Sequence, residues 1–149
     1  MDGRSQIKTK IFFGQPNGNA AMSKKVLSLG QCAADHYAIS HFLETSLGAE
    51  VIAADTVPEA LAQLRADPFS LVLVNRLLDA NGASGLAFIS QIKEDPALAE
   101  IPVMLVSNFP DAQKQAVARG ALLGFGKASL GDVRIGERLK HLLGVEDGD

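Results

Sequence analysis

Between Lys24 and Gly144, short apolar runs alternate five times with longer amphipathic segments, and this alternation leaves few folds open to the chain. Runs of leucine and β-branched side chains with no polar interruption suit strands buried on both faces, whereas apolar residues every three or four positions bury one side of a helix. Strands that take turns with helices pair in parallel, because each crossover helix returns the chain to the same end of the sheet. The predicted strands are Val26-Leu27-Ser28-Leu29, Glu50-Val51-Ile52-Ala53, Leu71-Val72-Leu73-Val74 ending on Asn75, Pro102 to Val106, and Ala121 to Phe125.

The segments between them carry helix signals. Asp35 to Leu47 places Tyr37, Ile39, Phe42 and Leu43 near helical spacing, with Gly48 as its stop. Thr56 is a predicted N-cap, with Pro58 at the helix start, Glu59 completing a capping box, and Ala60, Leu61 and Leu64 as the buried stripe. The third helix runs from about Ser84 through Leu86, Phe88, Ile89 and Ile92 to Lys93, the fourth from Asp111 to Arg119, and the last carries Leu130, Val133, Leu139, Leu142 and Leu143. The expected fold is α/β: a flavodoxin-like, doubly wound, five-stranded parallel sheet in the order 2-1-3-4-5, with five helices.

Size and charge narrow the function. At 149 residues, 47% of them hydrophobic, the chain supplies one core, burying roughly 68–70% of its unfolded surface. A net charge of -3 argues against a nucleic-acid partner, which would call for clustered Lys and Arg, so a protein or small-molecule partner is expected. Cys32 is the sole cysteine, which rules out an intramolecular disulfide, and no apolar run approaches the roughly 20 residues that span a bilayer. A cytoplasmic protein is the expectation. Residues 1–22, with Ile11-Phe12-Phe13 as their one apolar run, read as a mobile N-terminal extension, unless translation starts at Met22. Residues 23–144 then form the domain, and 145–149 a short acidic tail.

In a parallel sheet the carboxyl ends of all strands meet on one edge, where ligands and chemistry collect. That edge is predicted to hold Gly30-Gln31-Cys32, Ala54-Asp55, Asn75-Arg76, Ser107-Asn108 and Gly126-Lys127.

With these residues in place, the chain resembles a receiver domain of two-component response regulators from Lys24 to Gly144. Lys25 to Leu29 resembles the family's first strand, Leu71 to Asn75 the strand carrying its phosphoacceptor, Ile101 to Ser107 the strand ending in its switch hydroxyl, and Gly120 to Lys127 the approach to its lysine. The resemblance implies two acidic residues after the first strand, where Gly30, Gln31 and Cys32 stand, and a phosphoacceptor aspartate where Asn75 stands. Mg²⁺ needs near-octahedral oxygen ligation anchored by carboxylates, so Mg²⁺ binding is expected to be lost. A neutral carboxamide is also a very poor nucleophile, so Asn75 cannot form an acyl phosphate.

Ser107 and Lys127 keep the other half of the family's pocket. Ala128 replaces the proline that usually follows the lysine, and Gly124 stands where many receivers carry a switch aromatic, with Phe125 beside it. Loss of three carboxylates next to Arg76 and Lys127 leaves a locally positive edge. Lys127 is expected to pair internally with a carboxylate such as Asp79, or with Asn75; the alternative is an external anion. Asp79 lies in a segment, Asn75 to Gly85, that looks longer than the family's loop. It is read as a turn residue or a partner for Arg76 or Lys127, and otherwise as a displaced phosphoacceptor.

Cys32, Asp35 and His36 are the other cluster. A thiol near a helix N-terminus can be reactive, but the expected roles are packing for Cys32 and a helix cap for Asp35, with His41 and His141 on helix surfaces. Asp35-His36 is a weak match to the corrinoid Asp-x-His-x-x-Gly pattern, the loop lacks a flavodoxin's hydroxyls, and no GxGxxG occurs there, so no cofactor is expected. Gln113-Lys114-Gln115 reads as a solvated helix face and Phe109 as a contact for a partner or a packed ring. The resemblance implies a partner face on helix four, strand five and helix five, at Ala112 to Arg119 and Val133 to His141, with a homodimer as one use of it.

The expectation is a stand-alone degenerate pseudo-receiver without an output domain. It has no enzymatic activity and signals by protein interaction that needs no aspartyl phosphorylation. Phosphorylation at Asp79, or a small anion-binding or thiol-reactive protein, are the alternatives.

Overall fold

The computed structural model describes residues 24–145. The predicted extension at 1–22, the Met22 start and the acidic residues 146–149 lie outside the described residues. Five strands, β1 (Lys25–Leu29), β2 (Glu50–Ala54), β3 (Leu71–Asn75), β4 (Val103–Val106) and β5 (Leu122–Phe125), alternate with helices α1 (Ala33–Leu47), α2 (Val57–Ala66), α3 (Gly85–Glu94), α4 (Pro110–Ala118) and α5 (Val133–Leu143). All pairings are parallel, in the order β2-β1-β3-β4-β5, as the alternation predicts.

Alternate residues along each strand divide the core in two. Leu27, Leu29, Val72, Val74 and Leu105 pack with Leu64 from α2, Phe88 and Ile92 from α3 and Ala116 from α4. Val26, Leu71, Leu73, Val106 and Phe125 face the other way, onto Ile39 and Leu43 of α1 and Leu139 of α5. Burial on both faces explains why these strands lack polar alternation. Local signals act where expected: Thr56 accepts from the Glu59 N–H while Glu59 Oε1 accepts from the Thr56 N–H, closing the capping box of α2.

Three expectations change. Tyr37 is 69% exposed and stacks on His41 at 5.8 Å between ring centroids, because its position on α1 faces away from the sheet. Asp35 is not the cap of α1: Cys32 holds that position and no side chain caps the helix. Gln113 is buried rather than solvated, since it lies beside Ala112 and Ala116 on the inner side of α4. Its Nε2 donates to Leu105 O at 2.9 Å and Ser107 O at 3.0 Å, and its Oε1 accepts from Gly124 N at 3.0 Å. One amide therefore joins α4, β4 and β5 where the β4–β5 register shifts. Buried polar groups are tolerated when paired in this way.

Candidate functional site

The strand register sets Leu29 beside Ala54 and Val74, and Asn75 beside Val106, which itself pairs with Phe125. The predicted edge residues therefore assemble at one end of the sheet. The part of that end above β1 is closed by packing. The segment after Asn75 doubles back on itself: Leu77 and Ser84 form an antiparallel bridge, Leu78 N donates to Ala83 O at 2.9 Å, and Gly82 N donates to Leu78 O at 2.7 Å. The turn drives Leu78 inward until it is 1% exposed. Leu78 rests on Gly30, whose φ is +80° and where a Cβ would overlap Leu78 Cδ2. Gly30 is thus required both by its backbone conformation and by the side chain above it.

Gly30 also supplies the hydrogen-bond partner that Asn75 needs. Gly30 O accepts from Asn75 Nδ2 at 3.0 Å and from Asp79 N at 2.9 Å, so the two loops are tied through one carbonyl. An aspartate at 75 could not make this bond when ionised, because a carboxylate only accepts. Gln31 is buried, and neither of its amide atoms has a hydrogen-bond partner among the described residues. Nothing in the structure explains that arrangement.

The β4–β5 part stays open and polar. Ser107 Oγ accepts from Phe109 N at 3.1 Å, which leaves its hydroxyl proton free. Asn108 Oδ1 accepts from Ala128 N at 3.2 Å. A proline at 128 would have no N–H to offer, so Asn108 and Ala128 form a latch that the sequence departure makes available. Gly126 permits it, since a Cβ there would overlap Asn108 Oδ1. A side chain at Gly124 would run into Leu105 O, and Phe125 is 4% exposed in the core facing α1 and α5. Neither residue therefore presents a switch aromatic to solvent.

Lys127 begins a short 3₁₀ turn, Lys127–Ser129, and its Nζ lies 2.6 Å from Asp35 Oδ2. The internal partner is Asp35, not Asp79 or Asn75 as the sequence suggests. Asp35 occupies the first turn of α1, within reach of Lys127 just after β5, while Asp79 is exposed in the turn after Leu78. The Lys127 ammonium holds the Asp35 carboxyl below its ordinary pKa, partial burial opposes this, and the Cys32 side chain adds a hydrogen bond that lowers it further. Cys32 and Asp35 thus serve Lys127 rather than a catalytic set with His36, whose Nε2 lies 3.2 Å from Ser40 Oγ.

A pocket of about 310 Å³ remains, lined by Asn75, Arg76, Ser107, Asn108, Phe109 and Lys127 among others. Arg76 lies over the Phe109 ring at 5.0 Å, and Asp79 does not line the pocket. The residues do not fit Mg²⁺. Among the described residues no three His, Cys, Asp or Glu side chains come together as ligands, and the ground above Gly30 is filled by Leu78.

No protein-family model and no curated protein matches the sequence. Solved structures do match in fold. The signal receiver domain of a DNA-binding response regulator from Colwellia psychrerythraea aligns with a TM-score of 0.70 at 24% identity, over 82% of this chain and 99% of that one. The chemotaxis response regulator CheY4 of Vibrio cholerae aligns at 0.64 and 20% identity, over 82% and 100%. The chain has the receiver-domain fold. NtrX from Brucella abortus gives 0.69 at 24% identity over 83% of this chain but 27% of its own, so this receiver fold spans about a quarter of that protein. Among the described residues no helix is long and apolar enough to cross a membrane.

Proposed function

We propose that this receiver-fold chain is a pseudo-receiver: a non-enzymatic, cytoplasmic signalling module that works by protein interaction, without aspartyl phosphorylation, bound Mg²⁺ or contact with nucleic acid or membrane. The observation that carries the reading is Asn75, whose amide donates to Gly30 O under the buried Leu78. The position equivalent to the phosphoacceptor ties two loops together, and a leucine stands over Gly30, one of the positions where acidic ligands would lie. Exposed apolar residues support the α4–β5–α5 face as the partner surface. Val117 is 46% exposed, and Leu122 and Leu123 of the edge strand are 42% and 56% exposed. Arg138 of α5 donates to Leu123 O, which partly covers the strand's free edge.

Incubation with a small phosphodonor and Mg²⁺, read by intact mass, tests the chemistry: the mass is expected to stay unchanged. A phosphoryl adduct on Asp79 or any other carboxylate overturns the reading. Leu123→Asp is expected to abolish capture of the partner, or self-association if the partner is a second copy, with the fold retained by circular dichroism.

A further inference from the structure

The polar pocket does not end at Phe109. A second cavity of about 560 Å³ adjoins it, walled by Leu86, Pro110 and Gln115 and sharing Arg76, Leu77 and Phe109 with the first. The two differ in chemistry. No acidic side chain lines the inner cavity. The outer one adds Leu86 and Pro110 to the shared Leu77 and Phe109, 46% and 56% exposed, with Asp111 as its acidic residue. Cavities of about 300–1,000 Å³ are the size that small-molecule ligands occupy.

The inner cavity also has unused donors. Ser107 Oγ has accepted a hydrogen bond but not donated one, Asn75 Nδ2 has a second hydrogen beyond the bond to Gly30 O, and the Asn108 amide nitrogen is free while its oxygen holds Ala128 N. Arg76 has no carboxylate partner among the described residues and only stacks on Phe109. Lys127 is already paired, but its side chain is still 34% exposed. Donors without acceptors beside an uncompensated guanidinium define an oxyanion site, and the planar guanidinium suits two oxygens of one anion at once.

We propose that the joined cavities bind a small organic oxyanion, non-covalently and without a metal ion. Its anionic head lies between Arg76, Lys127 and Ser107, and its aromatic body lies against Phe109 and Leu77. The proposal rests on the reading that neither Mg²⁺ nor a phosphoryl group occupies this edge, and it adds a chemical input to a domain read above only as a protein-binding surface. Asp35 tunes the site from outside by holding Lys127 back.

The test titrates the protein in EDTA with phenyl phosphate, inorganic phosphate and phenol, following backbone amide shifts by NMR. Phenyl phosphate is expected to move the amides of Arg76, Leu77, Ser107 to Phe109 and Ala128, and to bind about tenfold more tightly than inorganic phosphate, with phenol inert. Arg76→Gln is expected to weaken it about tenfold, Phe109→Ala to bring it to the level of inorganic phosphate, and Asp35→Asn to strengthen it. Absence of localised shifts, equal binding by Arg76→Gln, or equal affinity for the two phosphates overturns the proposal. The phosphodonor experiment is read separately: an adduct there overturns the pseudo-receiver reading, whereas the EDTA titration alone decides the site.

Discussion

The two ends of the same sheet edge have gone different ways. Over β1 the ground is dry: Gly30 bears Leu78, and its carbonyl is taken by the Asn75 amide and by Asp79 N. Over β4 and β5 it is wet and polar, with Ser107, Asn108 and Lys127 around a cavity that Asn75 and Arg76 at the end of β3 also line. Receiver-type chemistry needs both parts at once, metal ligands on one side and hydroxyl and ammonium on the other. Here a leucine stands over one part while polar groups line the other. On the proposed reading, packing as well as absence of charge separates this edge from such chemistry.

Leu78→Ala attacks the dry part and carries the largest expected effect. Removing a fully buried leucine costs about 2–5 kcal/mol, so the urea midpoint should fall sharply. If the midpoint barely moves, the turn is not packed as described. Gln113→Ala tests the wet part's foundation: three bonds vanish and the Gly124 N–H is left buried without an acceptor, for an expected loss of about 2–3 kcal/mol. An equal effect from mutating the exposed neighbour Lys114 would break the contrast between them.

Asp35→Asn should act modestly and with a particular pH dependence. The folded protein depresses the Asp35 pKa below 3.8, so its contribution is present above the unfolded value and is lost as pH falls through the lower folded one. The variant should be less stable than the parent by under about 1 kcal/mol near neutral pH, for a pair that is partly exposed. The gap should close in strong acid, and a gap that widens there would contradict the Lys127 pairing. Phe109→Ala should do least to stability, within about 0.5 kcal/mol, because the ring is more than half exposed.

Much of this was legible in the residues. Unbroken apolar runs announced two-sided burial, and the ends of those runs located Asn75, Ser107 and Lys127 on one edge. The capping box at Thr56 and Glu59 is a local signal and folded as such. What failed depended on distant partners. Asp35 meets Lys127 only when the start of α1 and the end of β5 converge, and neither residue's neighbours reveal that. Gln113 sits among polar residues, so the pattern placed it in water; the clue was its position between Ala112 and Ala116, on a face where small residues let a helix approach the sheet. Leu78 was signalled by an apolar pair, Leu77-Leu78, inside a turn of Asp, Ala, Asn and Gly, although nothing local says which of the two turns inward.

The clamp at Gln113 bears on how information could pass through the domain. A surface with two interchangeable shapes needs them within a few kcal/mol of each other, and sliding α4 past β5 would strand several buried polar groups at about 1–3 kcal/mol apiece. Leu122 and Leu123 therefore sit on a strand that Gln113 fastens to α4, and a shift of either element has to break that fastening first.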